Sequence, residues 1–250
     1  MAPKIIDEQS LLAREQEIID AAIELIGANG IENLTMDKVV AKVSYSKGTV
    51  YKHFVGKEDV LQAISNRALN VLSELFCRAA NYPGVARERM LLLNFSYLIY
   101  AILHPALFHS AICARSPNVS GKSSDSRLAE QEGLEMKLLG AIHSIVEQGV
   151  SEGNLTIPSY MNITQLCFAN WSGSFGVISL LSGEVDQCSG RTDLVVEREL
   201  LIQNNIFFDG LAWAPMTKQH NYDQALRHAL EQVFPNELAA LTKLGRSLNF

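Results

Sequence analysis

Two short helix patterns, separated by a two-residue break, occupy residues 35–58 and constrain the fold more than any other part of the sequence. Thr35 has the hydroxyl group of a helix N-cap, and the first pattern begins there. Apolar residues then recur at the spacing of a buried helix face, at Val39, Val40 and Val43. The sequence therefore predicts a short amphipathic helix that ends before Ser44 and Tyr45.

The second helix of this segment has a polar and cationic outer face. Ser46 is a second N-cap candidate, and Val50 and Phe54 lie one helical turn apart, so both point inward. Polar, aromatic or charged side chains fill the other positions: Lys47, Thr49, Tyr51, Lys52 and His53. Gly48 costs about 1 kcal/mol of helix stability relative to alanine and would let another backbone approach closely. This pattern suits a helix in a DNA groove; a solvated lysine face on a small helical unit is the alternative.

Charge favours the DNA interpretation locally. Residues 34–57 carry five lysines against the single acid Asp37, a net charge of +4, whereas the whole chain carries −6. The rest of the chain is therefore strongly acidic and would be repelled by a duplex. One basic segment on an acidic chain predicts a confined electrostatic contact with DNA.

The run from Ser46 to Phe54, followed by Gly56-Lys57-Glu58, resembles the helix-turn-helix signature of the TetR family of bacterial transcriptional regulators. The preceding helix, predicted from Arg14 to Asn29 and ending at Gly30, is similar to the family's first helix. The resemblance covers Arg14 to Glu58. It departs from the family at Val40, Ser44 and Tyr45, where the family commonly has alanine, a small residue such as glycine, and a small aliphatic residue.

The resemblance implies a set of DNA contacts: Thr35, Tyr45, Ser46, Lys47, Gly48, Thr49, Tyr51, Lys52, His53 and Lys57. Thr35 and its helix N-terminus, with Lys47, Tyr51, His53 and Lys57, would contact phosphates. Thr49, Lys52 and Tyr45 are the candidates for base edges, and Gly48 would permit the approach. Tyr45 packed on the turn and Tyr51 packed on the first helix remain alternatives.

Beyond residue 57 the patterns are helical, and no segment there predicts a strand. Helices are expected approximately at 57–80, 85–104, 105–114, 126–152, 160–182, 193–213 and 221–244, with loops at 116–126 and 183–192. Prolines at positions 83, 105, 158 and 215 fall at their boundaries. The predicted fold class is all-α: an N-terminal three-helix helix-turn-helix domain over residues 1–57, then a larger helical ligand-binding and dimerisation domain over residues 58–250.

The later helices suggest two further surfaces. Segments 160–182 and 193–213 are apolar on more than one face, and the TetR resemblance implies that both join a four-helix dimer interface. The candidates for this interface are Phe175, Ile178, Leu201 and Phe208. The candidates for a small-molecule pocket are Phe95, Tyr100, Phe108, His143, Phe168 and Trp171. For both sets an ordinary intrachain core is the alternative.

No catalytic or dinucleotide motif is present, so we expect no enzyme, no catalytic residue, no metal site and no cofactor. Four scattered cysteines and an N-terminus without an apolar leader predict a cytoplasmic protein with no membrane partner. The expected function is a TetR-like regulator, a repressor, that binds a near-palindromic operator as a homodimer under control of a small-molecule effector. The alternative is a helical ligand-binding or protein-interaction dimer whose helix-turn-helix has lost DNA affinity.

Overall fold

The computed structural model describes residues 7–113, 117–181 and 189–250, and these ranges contain α-helices and two short 3-10 helices but no β-strand. The first six helices are α1 (Glu8–Asn29), α2 (Met36–Lys42), α3 (Lys47–His53), α4 (Lys57–Ala80), α5 (Ala86–Leu103) and α6 (Pro105–Cys113). The others are α7 (Pro117–Ser120), α8 (Asp125–Ser151), α9 (Ile163–Leu181), α10 (Val196–Gly210), α11 (Tyr222–Val233) and α12 (Pro235–Lys243). The all-α prediction is confirmed.

The chain packs as two compact units. Unit 1 comprises the described residues of Met1–Asn70 and His104–Leu134, and unit 2 comprises those of Val71–Leu103 and Glu135–Phe250. The domain boundary predicted between residues 57 and 58 coincides with none of these borders and stays a prediction.

Unit 1 is built around the buried faces of its first helices. Ile18 and Ala22 of α1, Val39 of α2 and Val50 of α3 are all fully buried. The predicted start of α1 at Arg14 is too late, because Asp7 caps the helix by accepting a hydrogen bond from the backbone N–H of Ser10 at 2.8 Å. Gly30 ends α1 as predicted, with φ of +81°, a conformation that favours glycine.

Helix α5 forms the centre of unit 2, since every residue from Met90 to Ala101 is buried. A buried amide cluster connects it with two other helices. The amide of Asn94 donates to the side-chain oxygen of Asn170 on α9 at 2.9 Å and also to that of Asn204 on α10. Asn170 donates back to Asn94 at 3.1 Å. Because buried polar groups are costly when unpaired, this cluster favours one packing register of α5, α9 and α10.

A fully buried arginine fixes the segment that follows α10. Arg87 of α5 contacts the carboxylate of Asp209 at 2.7 Å and donates to the backbone carbonyl groups of Trp213 at 2.7 Å and Pro215 at 3.0 Å. Its guanidinium also lies 4.4 Å from the ring centroid of Tyr222 on α11. The segment around Pro215 is therefore held against α5, within unit 2.

One predicted helix and one predicted loop need correction. The predicted helix 221–244 is two helices, because Pro235 cannot continue α11 and instead opens α12 as its first residue. The predicted loop 116–126 contains the short helix α7. Of the predicted loop 183–192, Ser189–Arg191 form a 3-10 helix and residues 183–188 lie outside the described residues. None of the helices in the described ranges is long and apolar enough to cross a membrane.

Candidate nucleic-acid interface

Helices α2 and α3 form a tight pair in unit 1, and both N-caps predicted from the sequence are present. The hydroxyl of Thr35 accepts from the backbone N–H of Lys38 at 3.3 Å, and the hydroxyl of Ser46 accepts from that of Thr49 at 3.2 Å. The backbone between the two helices is four residues long, from Val43 to Ser46. This is the geometry of a helix-turn-helix.

Helix α3 has one buried and one open side. Val50 and Phe54 are fully buried, which confirms that both point inward. The opposite side exposes Lys47, Gly48, Tyr51 and Lys52, which we call the recognition face. Lys52 is exposed and forms no ion pair with the described residues, so its charge is available to an external anion.

Gly48 is not explained by packing inside the chain. A Cβ atom added to it would meet only the hydroxyl of Ser46, at 3.9 Å, so the helix has room for alanine there. Because glycine costs a helix about 1 kcal/mol relative to alanine, its presence at this exposed position needs another reason. Close approach of an external backbone is such a reason.

Lys47 is held next to its neighbours on the recognition face. Its ammonium lies 2.9 Å from the carboxylate of Asp37 and 5.8 Å from the ring centroid of Tyr51. The hydrogen bond to Asp37 raises the pKa of Lys47 above its ordinary value, so the side chain stays charged. Both partners are exposed, and an exposed pair of this kind is weak enough to exchange for a phosphate.

Tyr45 packs against α1. Its hydroxyl donates to the carboxylate of Glu17 at 2.5 Å, and the guanidinium of Arg14 lies 5.6 Å from its ring centroid. The hydrogen bond to Glu17 raises the pKa of Tyr45. These contacts favour the alternative in which Tyr45 packs on the turn, and its predicted contact with DNA stays a prediction.

The other predicted DNA residues are half-buried or already engaged. Thr49 is half-buried, with its hydroxyl 2.9 Å from that of Ser46. His53 lies with Nδ1 3.6 Å from the carboxylate of Glu15, and the ammonium of Lys57 donates to the carbonyl of Glu32 at 3.5 Å. Lys47 and Lys52 are thus the more accessible cations.

The predicted pocket residues are distributed over both units. Phe95 and Tyr100 are buried on α5, and His143 is half-buried on α8, all in unit 2, whereas Phe108 is buried in unit 1. Phe168 and Trp171 are instead 62% and 39% exposed, because they lie on the side of α9 that turns away from the core. Phe168 and Trp171 therefore do not lie in the buried interior of unit 2 that contains Phe95 and Tyr100.

The predicted interface residues fall into two groups by burial. Ile178 and Phe208 are fully buried inside unit 2, which leaves no side-chain surface for a second chain, whereas Phe175 and Leu201 are half-buried. The rings of Phe168, Trp171 and Phe175 instead form a continuous stripe, with successive centroids 5.8 and 5.6 Å apart. Together with the exposed Ile202 and Ile206 of α10, this stripe makes what we call the outer face.

Sequence reasoning missed the residues that surround the end of α3. Arg127 of α8 is buried next to His53 and Phe54, and Asp59 of α4 is buried with its carboxylate on the backbone N–H of Val55. An arginine early in a predicted helix 126–152 gives no signal of this contact, since its partners are distant in the chain. Within the described ranges, no group of three histidine, cysteine or acidic side chains could hold a metal ion.

A helix-turn-helix followed by further helices in the described ranges defines the class of this protein, and comparison with known proteins shows which family its N-terminal part is similar to. The family model for bacterial regulatory proteins of the tetR family matches residues 18–64. The chain is 47% identical over 49 residues to the HTH-type transcriptional regulator SrpR of Pseudomonas putida, a match that covers 20% of this chain and 23% of that protein. Over residues 18–64 the chain therefore matches the tetR family model.

Solved structures share the fold over most of the chain. A tetR family regulatory protein from Rhodococcus RHA1 is 19% identical, with a TM-score of 0.56 over 86% of this chain and 96% of that one. The regulator FadR from Bacillus subtilis, solved in complex with stearoyl-CoA, is 15% identical, with a TM-score of 0.58 over 80% and 98% of the two chains. The sequence match to SrpR, by contrast, spans about a quarter of that protein's length.

Proposed function

We propose that this chain is a transcriptional regulator that binds operator DNA through the recognition face of α3. The observation that supports this most is the combination of an exposed, unpaired Lys52 with a Gly48 that packing does not require. A cation attracts a polyanion such as DNA, and a glycine, which has no side chain, leaves room for the DNA backbone or base edges. The tetR family match over residues 18–64 supports the same function.

The roles within the interface follow from exposure and chemistry. Lys52 and Thr49 are the proposed base contacts, since lysine can donate to guanine O6 or N7 and the threonine methyl can meet a thymine methyl. Thr35, Ser46, Lys47 and Tyr51 are the proposed phosphate contacts that fix the orientation. His53, Lys57 and Tyr45 remain proposed contacts that would have to leave Glu15, Glu32 and Glu17 respectively.

The outer face supports a homodimer as the binding form. An aromatic stripe on α9, and the exposed Ile202 and Ile206 on α10, which packs against α9, leave large apolar side chains in water. Exposed apolar surface of this kind marks an association site. Two copies related by a two-fold axis would bury both stripes in a four-helix arrangement. Such a dimer would bind two half-sites of a near-palindrome, each with one α3.

We further propose that a small apolar molecule controls DNA affinity, with repression in its absence. The interior of unit 2 around Phe95 and Tyr100 on α5 is apolar and supplies the proposed contacts, together with His143. The fold shared with the stearoyl-CoA complex of FadR supports an acyl-type effector as the first class to try. The difference between the effector's affinities for the two conformational states of the dimer would set how far the DNA affinity falls.

The substitution Lys52→Ala tests the central assignment. We expect operator affinity to fall by about 1–3 kcal/mol, with relaxed preference at one base pair, because one base contact is lost. The measurement is equilibrium binding to the operator and to its single-base variants at several salt concentrations. Lys137→Ala, which removes an exposed lysine of α8 in unit 2, is the matched control and should leave affinity unchanged.

Two other outcomes have definite meanings. An equal loss on every sequence, with a smaller salt dependence, would make Lys52 a phosphate contact and contradict its role in base recognition. No measurable binding by the unsubstituted protein, even at low salt and with candidate effectors, would support the alternative of a helical dimer without DNA affinity.

A further inference from the structure

The C-terminal end of α3 is held by a residue outside the helix-turn-helix. Arg127 lies in the first turn of α8 but is only 9% exposed in unit 1. Its guanidinium donates to the backbone carbonyl of His53, the last residue of α3, at 3.3 Å. It also lies over the ring of Phe54, 4.5 Å from the centroid.

These contacts stabilise the C-terminal end of α3. The last carbonyl groups of a helix have no partner inside it and carry partial negative charge, so a cation there is favourable. A helix of seven residues is also too short to be stable alone and takes its position from its neighbours. Arg127 satisfies the carbonyl of His53 and packs on the aromatic side chain that anchors the same end.

Two carboxylates complete the cluster. Glu15 of α1 accepts from Arg127 at 3.1 Å and places its other oxygen 3.6 Å from Nδ1 of His53. Asp59 of α4 is 1% exposed and lies 3.3 Å from Nε of Arg127. Asp59 also accepts from the backbone N–H of Val55, two residues after α3 ends, at 3.2 Å.

The position of Arg127 in its own helix is unfavourable, which points to a role outside α8. A cation in the first turn of a helix is repelled by the positive end of the helix dipole. Burial adds a further cost that only partners can offset. Every partner named above lies on α1, on α3, just after it or on α4, so the arginine is held in place by the helix-turn-helix and by the helix that follows it.

We propose that Arg127 is a positioning residue for the recognition helix, and that it determines how well the protein discriminates its operator from other DNA. It acts by fixing the C-terminal end of α3, so that Thr49 and Lys52 meet base edges in one geometry. Arg127 itself touches no DNA. This inference rests on the proposed function, since discrimination has meaning only for a protein that binds an operator.

Arg127→Met is the main variant, because methionine fills part of the buried space without the guanidinium. Arg67→Met is the matched control. Arg67 of α4 also lies in unit 1 and donates to Asp20 and Gln16 of α1, and none of its hydrogen bonds or ion pairs among the described residues is with α3. Arg127→Lys is the second variant, which keeps the charge but cannot reach the His53 carbonyl and both carboxylates at once.

Two readouts are measured on the full-length protein. Without DNA, hydrogen exchange of the backbone amides from Val50 to Val55 should become about tenfold faster in Arg127→Met and change little in Arg67→Met. With DNA, the ratio of operator affinity to scrambled-duplex affinity should fall about tenfold in Arg127→Met while the salt slope stays unchanged, because no phosphate contact is lost. For Arg127→Lys, the exchange rate and the affinity ratio should both lie between those of Arg127→Met and those of the unsubstituted protein.

The outcomes separate the two proposals. Unchanged exchange at α3 in both Arg127 variants would overturn the positioning role, whatever DNA binding shows. Faster exchange with an unchanged affinity ratio would overturn the proposed effect of Arg127 on discrimination between operator and other DNA. If the ratio of operator affinity to scrambled-duplex affinity falls as much in Arg67→Met as in Arg127→Met, the effect is one of general stability, and the inference is overturned. A lack of operator preference in the unsubstituted protein would instead contradict the proposed function.

Discussion

The recognition face of α3 and the outer face of α9 and α10 are both exposed, yet their chemistry is opposite. The recognition face displays Lys47 and Lys52 around a glycine, in a segment of net charge +4. The outer face displays Phe168, Trp171 and two isoleucines. Since the remainder of the chain is acidic, the recognition face also differs in the sign of its charge from the rest of the chain.

The difference indicates two kinds of partner. A lysine-rich face next to a bare backbone gains free energy by releasing counterions from a polyanion, and its affinity falls as salt rises. An aromatic stripe gains free energy by leaving water, at about 25 cal/mol for each Å² of apolar surface buried, and its association depends little on salt. DNA is the partner proposed for the first face, and a second copy of the chain is the partner proposed for the second.

The largest expected effect comes from a charge placed on the outer face. Ile206 is 69% exposed, so Ile206→Glu should be tolerated by the folded monomer. In a dimer the new carboxylate would be buried without a partner, which costs about 3–5 kcal/mol, so the dimer dissociation constant should rise at least about 100-fold. Sedimentation equilibrium measures this, and operator affinity should fall with the loss of the second half-site.

Met136→Glu provides the comparison for that substitution, since Met136 is 64% exposed on α8. It should change neither the dimer nor operator affinity. If Ile206→Glu leaves the association state as it was, the two chains do not meet through the outer face, and the proposed four-helix interface is wrong.

The smallest expected effect comes from Tyr45→Phe at the edge of the recognition face. The substitution removes the hydrogen bond to Glu17 but keeps the ring beside Arg14. If Tyr45 serves to pack the turn on α1, operator affinity should stay within about twofold of the unsubstituted value, since the loss of a DNA hydrogen bond would cost more. A clear drop in affinity by the same binding assay used for Lys52→Ala would make the Tyr45 hydroxyl a DNA contact.

Local patterns explain what the sequence could predict. The caps at Thr35 and Ser46, the inward pair Val50 and Phe54, and the end of α1 at Gly30 depend on interactions within a few residues. The start of α1 was missed because the cap at Asp7 precedes several polar residues with no clear apolar period. The break at Pro235 was missed although the residue type signals it.

Side-chain placement across helices could not be predicted in the same way. Phe168 and Ile178 both lie in one apolar helix, and periodicity alone does not tell which of its faces meets α5 and α10. The contacts of Arg127 with His53 and Glu15 join residues 74 and 112 positions apart in the chain. Such contacts depend on how helices pack, which a single sequence does not encode in any local signal.

Selection from a random pool of DNA duplexes, with the purified chain and at several salt concentrations, tests the central claim most directly. We predict a retained near-palindrome whose half-sites are about one helical turn or more apart, with affinity that falls steeply as salt rises. Retention of no common sequence, with weak binding even at low salt and with acyl-type effectors present, would contradict the claim that the recognition face of α3 binds an operator.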